Sequence, residues 1–289
     1  MKSSNIGGQA VMEGVMMRNA DKYAVAVRKT DGEIVVKTEE YKGIVQNKKI
    51  RSLPIIRGVF SFIDSMVLGM STLTYSASFF MDEEEEEKDE KKESVMMGLT
   101  IACSVVMAVA IFMILPYFLS QLFRKFTDST TLITLLEGAV RLVIFFGYIL
   151  LISRMKDIQR VFMYHGAEHK CINCIEHGME LNVENVLKSS RLHKRCGTSF
   201  LFIVMIVSII FFLFIRIESP IWRVVFRLLL IPVIAGVSFE FIRLAGKSEN
   251  KLVILLSKPG MMLQKLTTRE PDASMAEVAI ASVEAMFDW

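Results

Sequence analysis

Residues 198–215, TSFLFIVMIVSIIFFLFI, carry no charged side chain. An α-helix rises about 1.5 Å per residue, so roughly 20 such residues cross about 30 Å of hydrocarbon. The run therefore reads as a membrane span. Working outward, residues 95–123, 131–155 and 224–244 are further apolar runs of spanning length; the first meets no charge until Arg124, and the other two carry a few charged residues. The connections after the first and third spans are short, so the four pair into two helical hairpins. The expected fold is a mainly α, polytopic membrane protein of about four transmembrane helices.

Of 289 residues, 52% are hydrophobic and 22% charged, and the two kinds are segregated along the chain. That excludes a wholly soluble globule, a disordered chain and a disulfide scaffold. A formal charge of +3, with the basic residues flanking apolar runs, argues against a nucleic-acid partner. The lipid bilayer is the expected partner, and self-association is left open. Four cysteines, Cys103, Cys171, Cys174 and Cys196, are too few for a secreted framework; three of them cluster, which suggests metal or thiolate chemistry in a reducing compartment. Glycines and Glu13 stand where a signal peptide would have its apolar core, so none is expected.

Lys and Arg set the orientation. The central loop holds Arg160, Lys170, Lys188, Arg191, Lys194 and Arg195, against Arg124 with Lys125, and Arg216 with Arg223, in the short loops. The central loop and both termini should then be cytoplasmic. The chain divides into a β-rich cytoplasmic segment (1–54), an amphipathic or interfacial helix (55–81), an acidic linker (82–94), a first transmembrane hairpin (95–155), a cytoplasmic His/Cys loop (156–197), a second hairpin (198–246) and a cytoplasmic helical region (247–289). Arg57, Asp64 and many Ser, Thr and Gly favour a helix lying in the interface or packed on the bundle over 55–81, with a span or re-entrant segment as the alternative. Residues 23–37 read as a β-hairpin turning at Asp31-Gly32, with one further strand before it. Residues 275–286 read as a helix capped by Asp272 or Ser274.

The chemistry concentrates in Tyr164-His165-Gly166-Ala167-Glu168-His169-Lys170. His165, Glu168 and His169 form H-x-x-E-H. On a helix, positions i, i+3 and i+4 share a face, which suits two imidazoles on one divalent metal, zinc by default, with Glu168 as general base. His193 and Cys196, just before the third span, are the candidates to complete the ligand set. Glu176 lies on the same helical stripe, and Glu13 and Gln9 could fold back onto the loop. A competing reading places Cys171, Cys174, His193 and Cys196 around a structural zinc, and a third leaves the thiols free of metal. Glu137 with Arg141, and Glu240 with Arg243, sit within apolar runs as ion pairs or functional groups.

Four separated motifs, GGQAVMEGVMMR (7–18), YHGAEHK (164–170), RCGTSFL (195–201) and LTTREP (266–271), resemble the bacterial YqhQ-like family of uncharacterised integral membrane proteins, a domain of unknown function catalogued as predicted metal-dependent enzymes. The resemblance covers nearly the whole chain. Family members often have Pro where Lys194 stands here, and Cys171 and Cys174 are not part of the family's motif. The resemblance implies a multi-pass protein of the bacterial plasma membrane. The leading expectation is a membrane-embedded metal-dependent hydrolase acting on a peptide or lipid-linked substrate at the cytoplasmic interface. The alternatives are a non-enzymatic assembly or scaffold protein with a structural metal and, least favoured, a transporter.

Overall fold

Residues 7–18 build two strands where one was expected. In the computed structural model, which describes residues 4, 6–80, 90–215, 217, 219–248 and 250–287, β1 (Ile6–Val11) turns at Met12 and Glu13 into β2 (Gly14–Asn19). Glu13 takes φ 48° at that turn. With β3 (Lys22–Arg28) and β4 (Ile34–Glu40), they form a four-stranded antiparallel sheet in the order β1-β2-β3-β4. The expected hairpin over residues 23–37 is β3–β4, with Val27 opposite Val35. Residues 82–89 of the expected acidic linker lie outside the described residues, and 90–94 open a helix.

The chain divides into two compact units, residues 1–80, 152–204 and 232–289 in one, residues 81–151 and 205–231 in the other. The first contains the sheet, the short α1 (Lys48–Ser52), α2 (Ile56–Ser78), α6 (Lys156–Glu176), α7 (Val183–Lys188), α10 (Lys251–Thr267) and α11 (Ala273–Phe287). It also takes the start of α8 (Gly197–Phe214) and the end of α9 (Pro220–Lys247).

Strands β2 and β3 are buried on both faces, which is why they read as nearly unbroken apolar runs. Val15, Met17, Ala24 and Ala26 meet Tyr164, Ala167 and Cys171 of α6 and Met275, Ala279 and Val283 of α11. The small residues on this face let α11 come close, and Ser282 Oγ donates to the Ala24 carbonyl at 2.9 Å. The opposite face, Met16, Tyr23, Val25 and Val27, packs with Leu68 of α2.

Helix α2 buries a stripe of Asp64, Leu68, Gly69, Thr72 and Ser76. Asp64 accepts hydrogen bonds from the Tyr41 hydroxyl (3.1 Å) and the Ile44 N–H (2.8 Å), and Ser76 Oγ accepts from the Met12 N–H (3.1 Å). The polar residues that interrupt this apolar run are anchors for the sheet and the loop after it.

The second unit holds α3 (Glu90–Val109), a single π-helical turn (Ala110–Ile114), α4 (Leu115–Gln121), a 3-10 turn (Leu122–Lys125) and α5 (Thr130–Ile152), with the end of α8 and the start of α9. Pro116 lacks an N–H to donate, and the adjoining π turn re-spaces the backbone bonds there.

Five described helices are long and apolar enough to cross a membrane: Ile56–Ser78, Val95–Lys125, Thr130–Ile152, Gly197–Phe214 and Pro220–Lys247. The expected count was about four. The difference is α2, whose serines, threonines and glycines lower its mean hydropathy to 1.2 without breaking the helix. Helix α10 was not foreseen as a separate element.

Candidate metal centre

Helix α6 places His165, Glu168 and His169 on one face, as the spacing requires. The rings of His165 and His169 lie 4.4 Å apart between centroids. His165 Nδ1 is 2.9 Å from the carbonyl oxygen of Thr267, and His169 Nδ1 is 2.6 Å from that of Arg191. A carbonyl only accepts, so each Nδ1 bears a proton, and in the neutral ring Nε2 is the nitrogen with the lone pair. This is the arrangement in which metal-ligating histidines are held.

Cys196, immediately before α8, brings its Sγ to 3.3 Å from His165 Nε2 and accepts from the Thr198 N–H at 3.4 Å. His165, His169 and Cys196 offer ligand atoms that all lie within 4.8 Å of one another, the single such group of three among the described residues. Two imidazole nitrogens and a sulfur are the donors that zinc takes, so the residues fit the ion. The Glu168 carboxylate stands 3.8 Å from both Nε2 atoms, outside that group. Burial raises its pKa above the ordinary carboxylate range, and His165 and His193 would work in the opposite direction only when protonated.

His193 does not join them. Its Nε2 faces Glu176 at 3.3 Å, and its ring lies 5.8 Å from that of His169. Glu176 is likewise drawn elsewhere, accepting from the Ser4 N–H and hydroxyl (3.0 Å each) and from Arg195. Burial opposes its ionisation, but the bonds from His193 and Ser4 and the charge of Arg195 hold its pKa down to about 2. Glu13 pairs with Arg160 and accepts from the Tyr164 hydroxyl at 3.3 Å, so it anchors the sheet to α6 one turn before His165. Gln9 turns to α2, its Nε2 3.5 Å from the Gly69 carbonyl. Cys171 is buried in the apolar core, which pushes its thiol well above the ordinary range, and Cys174 donates to the Glu180 carbonyl at 3.4 Å. The grouping of Cys171 and Cys174 with His193 and Cys196 is therefore not formed.

The supporting residues come from the other motifs. Gly8 of β1 presses on the carboxylate: a Cβ there would fall 2.7 Å from Glu168 Cγ and 2.8 Å from the Met16 carbonyl oxygen. Gly166 lets residues 266–271 reach α6, since its Cβ would fall 2.0 Å from the Arg269 carbonyl oxygen. Buried Gln264 clamps the His193 peptide, accepting from its N–H (2.9 Å) and donating to its carbonyl (2.7 Å). Lys170 Nζ donates to the Leu187 and Ser189 carbonyls (2.7 and 2.8 Å) and lies 3.0 Å from Glu270, tying α6 to α7 and residues 266–271. Motif positions 8, 166 and 267 were conspicuous in the sequence, but their task is backbone approach and carbonyl acceptance, which no side-chain type announces. A cleft of about 510 Å³ has Arg191, Thr268, Arg269 and Glu270 in its wall, beside these supports.

The family described as "Protein of unknown function (DUF1385)" matches residues 53–289. The chain is 37% identical over 287 residues to "Uncharacterized protein YqhQ" of Bacillus subtilis (strain 168), covering 96% of this chain and 90% of that one. No solved structure matches it. A match over most of the chain, and a relative alike along nearly all of it, place the protein in the DUF1385 family.

Proposed function

We propose that this protein is a membrane-embedded, metal-dependent hydrolase working at the cytoplasmic face, with zinc held by His165, His169 and Cys196. One observation carries the reading. Two imidazoles, each fixed through Nδ1 by a main-chain carbonyl, and one thiol offer ligand atoms within 4.8 Å of one another, and a buried carboxylate stands 3.8 Å from both Nε2 atoms. Three protein ligands leave a fourth position free, the mark of catalytic rather than structural zinc. When bound, the ion supplies Lewis acidity. Glu168 takes the proton from the attacking water and returns it to the leaving group, and a pKa raised by burial is the direction that this task needs. The adjoining cleft has three basic side chains, Arg191, Lys265 and Arg269, against the single carboxylate of Glu270, a net positive lining that suits a peptide or lipid-linked substrate bearing negative charge.

Parity supports four crossings. The sheet packs on α6 and α11 within one unit, so an even number of crossings separates the sheet from α6 and α6 from α11. Residues 95–152 supply two, α8 and α9 supply two, and α2 then supplies none. Helix α2 offers its polar stripe to the sheet, while Ile63, Met66, Val67, Met70 and Leu73 are exposed on the rest of its surface, as for a helix lying in the interface.

Metal analysis of the detergent-purified protein tests the centre. His165→Ala, His169→Ala and Cys196→Ser should each abolish stoichiometric metal, and Cys171→Ser with Cys174→Ser should change it little. Glu168→Gln should keep the metal yet lose the hydrolysis products that wild-type protein generates from membrane extracts, read by mass spectrometry. If Glu168→Gln loses the metal too, the site is closed by four ligands and the scaffold reading takes its place.

A further inference from the structure

We infer that the second unit binds a monovalent, halide-sized anion at Arg227, between α5 and α9. Glu137 and Arg141 of α5 and Arg227 of α9 are 2%, 5% and 3% exposed, on helices apolar enough to cross a membrane. Arg227 grips Glu137 with both terminal nitrogens (2.6 and 2.9 Å), and Arg141 Nη2 shares the same carboxylate at 2.8 Å. One carboxylate thus serves two buried guanidiniums, leaving one positive charge uncompensated. Such a charge away from water is costly without a counter-ion.

The two arginines differ in how completely they are satisfied. Arg141 also places Nη1 on Ser208 Oγ (3.0 Å) and Nε on the Phe112 carbonyl (2.9 Å), which lies in the π-helical turn. Arg227 Nε is buried and finds no acceptor among the described residues. Phe212 and Tyr117 lie against the Arg227 guanidinium, at 4.6 and 5.5 Å from its carbon to the ring centroids. Their faces temper the charge but offer no in-plane acceptor. Arg223, one turn earlier on α9, also lies over Tyr117 at 5.5 Å and adds further positive potential.

Among the described residues the cluster therefore lacks one acceptor and one negative charge, and a single monovalent anion supplies both. The terminal fork that would hold a phosphate or carboxylate bidentately is already occupied by Glu137, leaving a single N–H beside aromatic rings. That favours a halide over an oxyanion.

The test uses the full-length protein in detergent. Chloride is exchanged against gluconate at constant ionic strength, following the melting temperature and the ³⁵Cl NMR line width. Wild type should show a saturable rise in melting temperature and saturable line broadening. Arg227→Gln leaves the neutral Glu137–Arg141 pair and should lose both responses. Glu137→Gln adds a second uncompensated charge and should strengthen both, which keeps the test decisive if Arg227→Gln does not fold. A wild type indifferent to chloride, an Arg227→Gln that responds as wild type, or a response to phosphate in place of chloride overturns the assignment.

Discussion

Gly8 has no space for even one methyl group. Substituting alanine drives a Cβ into Glu168 Cγ at 2.7 Å and the Met16 carbonyl at 2.8 Å, so β1 or the carboxylate must move. Gly7, its neighbour, has nothing within 4 Å of its added Cβ. Gly8→Ala should therefore cost about 1–3 kcal/mol and weaken metal retention, whereas Gly7→Ala should stay within about 0.5 kcal/mol of wild type, as thermal unfolding with metal analysis will read. Glu176 makes a prediction about acid. Its folded pKa of about 2 lies below the unfolded value near 4.5, so its contribution is present above pH 4.5 and fades as pH falls toward 2. Unfolding midpoints of wild type and Glu176→Gln should thus differ at pH 6–7 and converge toward pH 2. At this scale H-x-x-E-H was legible because helical period alone aligns its three side chains. The direction of His193 is not legible, because its nearness to Cys196 along the chain says nothing of where the side chain goes, and the Gln264 clamp and Glu176 hold it.

Among the elements, α2 decides the topology. Helical length and apolar content make it eligible to cross, while its buried stripe commits it to the sheet. Glu33 in the β3–β4 turn and Glu180 after α6 are both exposed, and each can be replaced by cysteine in a Cys103→Ser background. Both should react with an impermeant thiol reagent only after the cells are permeabilised. Labelling of Glu33→Cys in intact cells, with Glu180→Cys still protected, would mean that α2 crosses. The long apolar helices were legible because uninterrupted hydrophobic length has few other uses. Helix α10 was not, since Pro259 and Gly260 lie in its middle; the helix persists around them, capped by Asn250, whose side chain accepts from the Leu252 N–H at 2.8 Å. The pair β1–β2 reads in the sequence as one strand because its turn, Met12-Glu13, uses none of the usual turn dipeptides.

For the whole molecule, the first unit joins residues distant in sequence around a sheet that α11 completes. Met275, Ala276, Val278, Ala279, Val283 and Met286 are all nearly or fully buried in its core. Removing residues 273–289 should expose the apolar face formed by Val15, Met17, Ala24 and Ala26, giving a chain that aggregates or is degraded in cells, measured as steady-state abundance against wild type. Part of this joining is legible in the sequence, since the glycines of residues 7–18 allow a strand to fold back on the His/Cys loop and Gly8 does lie against Glu168. The seat of α11 on the sheet is not, because interleaved segments leave no period to read. One hydrogen bond shows what the joining entails. The Thr267 carbonyl that fixes the His165 ring lies 102 residues further along the chain. Thr267 follows all five long apolar helices in the chain, so His165, His169 and Cys196 are all synthesised before the carbonyl that orients the first of them. A chain stalled short of the LTTREP motif would hold His169 against the Arg191 carbonyl but leave the His165 ring without its acceptor, so the group of three takes its final orientation only once residues 266–271 have been made.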